Sequence, residues 1–71
     1  MYIDDSIKLR EDLPDTLLQD FKELEKYYQK NDWFSFDNLF EVVEGSVQGY
    51  YHNGKISRED LDLIFRKYGI A

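Results

Sequence analysis

The chain of 71 residues contains no cysteine, one proline, four glycines and one histidine. Without cysteine there is no disulfide and no thiolate metal ligand to brace a small fold, and no thiol nucleophile. Scarce Gly and Pro disfavour both disorder and turn-rich β architecture. No apolar run approaches the ~20 residues that span a bilayer. The opening run Met1-Tyr2-Ile3-Asp4-Asp5 is acidic and lacks the apolar segment of a secretion signal, so a cytoplasmic protein is expected. Basic residues are also in deficit: nine Lys and Arg face fifteen Asp and Glu, for a net charge of −6. That balance repels nucleic acid and anionic lipid, so neither nucleic acid nor membrane is an expected partner.

What the chain does have is aromatic bulk: six Tyr, five Phe and one Trp, 17% of its residues. Large rings bury much area each, which suits the core of a chain near the lower size limit for independent folding. The acidity is local. Glu11 to Glu44 holds ten acids against Lys22, Lys26 and Lys30, whereas the stretch from Asn53 onward carries a net +1.

Three segments repeat apolar residues at helical spacing, which predicts an all-α three-helix bundle with helices at about 13–30, 35–52 and 57–68. The N-terminal arm, 1–11, precedes a single helical domain, 12–71. The arm holds Tyr2, Ile3, Ile7 and Leu9, and is either a loose tail or an extended strap on the helices. In the first helix, Asp12 is the expected N-cap and Pro14 fits the first turn, where its missing N–H costs nothing. Leu17, Phe21, Leu24 and Tyr28 form its buried stripe, which Leu18 and Tyr27 widen. Asn31-Asp32 ends it. The second helix starts at Phe34 or Phe36 under a cap from Asp32 or Ser35, with Asp37 in its first turn. Its apolar face runs Phe36, Leu39, Phe40, Val43, Val47, Tyr50, Tyr51, and Trp33 and Phe34 plug the open end of the bundle. Gly45 and Gly49 interrupt the pattern. They are expected to admit a neighbouring helix at close range, the alternative being a kink. Asn53-Gly54 closes the helix, Gly54 supplying a left-handed residue.

The third helix is specified at both ends. Ser57 is its N-cap and Asp60 completes a capping box, with Ile56 and Leu61 as a hydrophobic staple. Leu61, Ile64, Phe65 and Tyr68 follow the helical repeat, Arg66 and Lys67 suit the C-terminal dipole, and Gly69 is the stop. An alternative to the bundle is a helical hairpin that completes its core by dimerising.

The run His52-Asn53-Gly54-Lys55-Ile56-Ser57-Arg58-Glu59-Asp60-Leu61 resembles the second half of an EF-hand. With Gly54 at the sixth loop position, Asn53 and Ser57 fit the fifth and ninth. Gly49 and Tyr51 then occupy the first and third, and Asp60 stands where a bidentate Glu is required. One carboxylate, already needed for the cap, is too few for a hard cation, so no metal is expected. The run Tyr50-Tyr51-His52-Asn53-Gly54-Lys55-Ile56-Ser57, followed by Asp60-Leu61 and Lys67-Tyr68-Gly69, resembles small uncharacterised acidic helical proteins of mobile elements in Gram-positive bacteria. The opening Lys8-Leu9-Arg10-Glu11-Asp12-Leu13-Pro14 is similar in kind. That resemblance implies a setting and no mechanism. The Gly-x-Ile-Ser helix start is also similar to short antitoxins of the Fic type. Their inhibitory helix needs Ser or Thr four residues before Glu-Gly, and here Phe40 precedes Glu44-Gly45.

No catalytic constellation is visible. His52, the one histidine, sits beside a turn glycine, and Glu41 and Glu44 share a helix face in the manner of solvated surface acids. The chain is therefore expected to be a non-enzyme without cofactor. The surplus of rings makes a protein-interaction or regulatory module the leading expectation, with Tyr27, Tyr28, Trp33, Phe34, Tyr50 and Tyr51 as the candidate surface for an unidentified protein partner. An acidic mimic of nucleic acid, inhibiting a basic protein, is the alternative. Helix-turn-helix DNA binding ranks last, because Glu59, Asp60 and Asp62 occupy the base-reading end of the third helix. The Gly45/Gly49 face and spare rings also permit a homodimer.

Overall fold

The computed structural model describes residues 3–68, which form three helices and no strand: α1 (Asp15–Gln29), α2 (Trp33–His52) and α3 (Arg58–Lys67). Each helix buries one stripe. Leu17, Phe21 and Leu24 come from α1, Phe36, Phe40, Val43 and Val47 from α2, and Leu61 and Ile64 from α3. These are steps of three and four residues, the spacing that keeps side chains on one face of a 3.6-residue helix. With Ile3, Leu13, Ile56 and Tyr68 they make one continuous core. Tyr68 joins the layers. Its ring stacks on Phe21 of α1 at 5.1 Å and lies 6.5 Å from Phe40 of α2. Burial pushes its phenol well above the ordinary value, because the phenolate would be poorly solvated there.

The turns between helices are set by two left-handed residues. Asn31 has φ 57° and Gly54 has φ 74°. Both ends are Schellman motifs. Asn31 N donates to Tyr28 O and Asp32 N to Tyr27 O; Gly54 N donates to Tyr51 O and Lys55 N to Tyr50 O. The chain therefore stops each helix by satisfying its last carbonyls and turns back within a few residues.

Several boundaries differ from the sequence expectation. Asp12 is not the cap of α1: Pro14 is, in an extended conformation and with no side-chain cap bond. A proline disfavours helical backbone at the residue before it, so Leu13 leaves the helix and its side chain drops into the core. Asp12 pairs instead with Arg10 at 2.9 Å. Helix α2 begins at Trp33 rather than about 35, because Asp32 caps it by accepting from Ser35 N at 3.1 Å. Asp37 consequently lies beyond the first turn. Gly45 and Gly49 do not hold a neighbouring helix close: a Cβ at either would meet nothing within 4 Å. Helix α3 has the expected capping box, Ser57 Oγ accepting from Asp60 N at 3.0 Å and Asp60 Oδ2 from Ser57 N at 2.9 Å. The expected stop at Gly69 lies outside the described residues.

From residue 3 to 11 the arm is a strap, and it replaces one helix contact; Tyr2 lies outside the described residues. Helix α2 packs on both other helices, but no Cα of α1 comes within 8 Å of one in α3 among the described residues. The arm bridges this gap. Asp4 N donates to Lys67 O at 2.7 Å, and Lys67 Nζ donates to Ile7 O at 2.9 Å. Arg10 lays its guanidinium on the Asp60 carboxylate, Nε at 3.0 Å from both oxygens and Nη2 at 2.9 Å from Oδ2. Ile3 anchors it in the core, and Leu13, just past its far end, is buried there too.

Candidate docking face on the second helix

The core repeat of α2 fixes what its other side presents. Phe36, Phe40, Val43 and Val47 point inward. Residues 34, 38, 42, 45 and 49 recur at steps of three and four on the opposite side. That row reads Phe34, Asn38, Val42, Gly45, Gly49, a line without charge. Phe34 is 79% exposed and Val42 60% exposed. With Trp33 at 41%, they are the exposed large hydrophobics among the described residues, and all three belong to α2. Single exposed apolar residues need no explanation, but Phe34 and Val42 stand about two turns apart in one uncharged row, a surface that a partner can cover.

The row ends at an aromatic corner. The Tyr28 and Trp33 rings meet edge to face at 5.5 Å, and each lies 6.3 Å from Phe36. This contact exists because the Asn31 turn brings the last turn of α1 beside the first turn of α2. Trp33 thus rests one edge on the core while leaving part of its ring in water. Phe34, one residue later and about 100° further round the helix, points away and does not plug the bundle.

The six residues expected to form the surface divide. Tyr28 and Trp33 meet at the α1–α2 corner, whereas Phe34 points away from it into solvent. Tyr27 and Tyr28 are half-buried against the core. Tyr50 and Tyr51 lie at the far end of α2, some 17 residues or about 25 Å along the axis, and are also half-buried. The Arg58 guanidinium stands 6.0 Å from the Tyr51 ring centre. Tyr50 lines a shallow depression with Ser46, Gly49 and Asn53. The exposed apolar residue missed by the sequence reading is Val42. Its signal was present: position 42 falls off the 36–40–43–47 repeat.

Electrostatics on α2 are one-sided. Between Trp33 and His52 there are three acids, Asp37, Glu41 and Glu44, and no Lys or Arg. Acidic residues on α1 are interleaved with Lys22 and Lys26, and Lys30 caps its C-terminus. The carboxylate with the most partners lies elsewhere. Asp60 is held below the ordinary carboxylate range, first by the hydrogen bond from Arg10 and further by Ser57, against an opposing effect of burial. It is structural: its oxygens serve the strap and the cap of α3. Among the described residues no three of His, Asp and Glu converge as a metal-ligand group, and no helix is long and apolar enough to cross a membrane. His52 is exposed, and its ring lies 5.6 Å from that of Tyr51.

Comparison of the chain with family models, with curated proteins and with solved structures finds no match.

Proposed function

We propose that this chain is a small, non-catalytic protein-interaction module that docks a protein partner through the solvent face of α2 and the adjoining Tyr28–Trp33 corner. The observation that carries the reading is that, among the described residues, the exposed large apolar side chains all belong to α2, with Phe34 at 79% and Val42 at 60% exposure. Water gains nothing from them, and a partner that covered them would gain their burial, about 25 cal/mol per Å2 of apolar surface. Trp33 adds an amphipathic ring of the kind enriched at interfaces. The likeness of the Tyr50–Ser57 run to mobile-element proteins adds a setting to this proposal and no mechanism.

Affinity capture from the source cell tests it, with wild type beside a Phe34→Ser/Val42→Ser variant. Both positions are on the solvent side of α2, so the variant keeps the fold. A partner retained by wild type and lost by the variant supports the reading. Equal retention by both places the working surface elsewhere.

A further inference from the structure

Resting on that reading, we infer that the occupant of the α2 face is an amphipathic helix of another protein, apolar along one stripe and flanked by Lys or Arg. Shape is the first argument. The row from Phe34 to Gly49 is about 23 Å long and straight along one helix. It is bulky at Phe34 and Val42 and bare at Gly45 and Gly49, where a Cβ would meet nothing within 4 Å. A ridge of side chains packs on a helix by entering the space between its rows, and missing side chains let the axes approach. A crossing helix would set a large apolar residue over Gly45 and Gly49 and smaller ones against Phe34. An extended peptide has no such use for a helix-long row.

Charge selects the class of helix. By helical spacing Glu41 and Asp37 run along one side of the row, with Glu44 half-buried beyond them on the same side, and nothing on α2 between Trp33 and His52 offsets their charge. A helix with cations beside its apolar stripe gains complementarity along its length, and an acidic one is repelled. The same charge disfavours a second copy of this chain. Two α2 faces would bring three carboxylates against three, on bodies each carrying −6. It also disfavours an anionic lipid surface. Asn38 sits at the middle of the row, where its amide adds a hydrogen-bonding group without charge.

The test uses the full chain, labelled for amide NMR. The probe is a synthetic Leu/Lys amphipathic helix long enough to cover the row, and the control is the same peptide with every Lys replaced by Glu. Expected are saturable shifts centred on Phe34, Asn38, Val42, Gly45 and Gly49 with the Lys peptide and none with the Glu peptide. A Gly45→Leu/Gly49→Leu variant weakens binding about tenfold or more, or 1.4 kcal/mol at the tenfold mark. Asp37→Asn/Glu41→Gln weakens it severalfold. Dispersed amide spectra of both variants establish that they fold. Shifts spread over every acidic face, equal binding of the two peptides, or indifference to the leucine variant would each overturn the inference. Concentration-dependent shifts on the same row without peptide would overturn it in favour of a second copy. If the capture experiment finds a partner that Phe34 and Val42 hold while the Lys peptide fails here, the partner's chemistry is wrong and the docking face stands. If both fail, the docking face is wrong.

Discussion

Alanine at Gly45 and Gly49 should make this protein more stable. Glycine in a helix interior loses more backbone freedom on folding than alanine, at a cost of about 1 kcal/mol per site. A glycine earns its place when a neighbour comes too close for a Cβ or when φ is positive. Neither condition holds here: both positions are open for at least 4 Å, and the positive-φ glycine among the described residues is Gly54. The double variant should therefore gain about 1.5–2 kcal/mol. A chain of this length has roughly 4–10 kcal/mol in total, so the gain is a large fraction. At about 4–8 °C per kcal/mol for a domain of this size, Tm should rise by roughly 6–16 °C. Urea unfolding followed by far-UV circular dichroism measures it, and the midpoint should move with the slope unchanged. Gly54→Ala is the internal control. At φ 74° a Cβ is strained, so the same substitution should destabilise by about 1 kcal/mol. A double variant no more stable than wild type would refute the reasoning, because the glycines would then be serving the fold itself.

Ser57→Ala removes the hydroxyl that accepts from Asp60 N and should cost about 1 kcal/mol of unfolding free energy. Ile3→Ala tests the strap, with Leu13→Ala just beyond it as a core reference. Both side chains are buried, so each should destabilise by about 2–3 kcal/mol in the same urea assay, where a tail would show no effect. The Asp4 amide, bonded to Lys67 O, should exchange with solvent more slowly than an unstructured amide. The depressed Asp60 carboxyl predicts a pH dependence. The folded state favours its ionised form. Its contribution is therefore complete above the unfolded carboxyl value, about 4, and is lost as pH falls through the lower folded value. Stability should drop below about pH 4, and Asp60→Asn should lower stability at neutral pH while flattening part of that decline.

The helices were legible because their signals are local. The 17–21–24 repeat, the 36–40–43–47 repeat and the Ser57–Asp60 box each fit within a few turns and need no knowledge of the rest of the chain. The start of α1 was misjudged because two local signals compete at Asp12-Leu13-Pro14. Asp12 is a good cap, but proline restricts the residue before it, and Arg10 offers Asp12 a charged partner. The clasp of Arg10 on Asp60 joins residues 50 apart, and no periodicity reports that. Nor does any report that Lys67 spends its ammonium on arm carbonyls. The proposed docking face was half visible. Phe34 precedes the core repeat and Trp33 opens the helix, so their exposure follows from register. Tyr50 and Tyr51 were grouped with them by residue type, yet a helix of 20 residues separates its ends by about 30 Å. The role of the two glycines depended on what lies beyond them, and the sequence alone does not show that space to be empty.

Site-specific photo-crosslinking in the source cell tests the docking face most directly. A photoreactive phenylalanine at position 34 is compared with one at Gln19, an exposed position on α1. A discrete protein adduct from position 34, absent from position 19 and lost when Gly45 and Gly49 are replaced by leucine, is the predicted result. The same adducts from both positions, or adducts from position 19 alone, would contradict the assignment of α2 as the working surface.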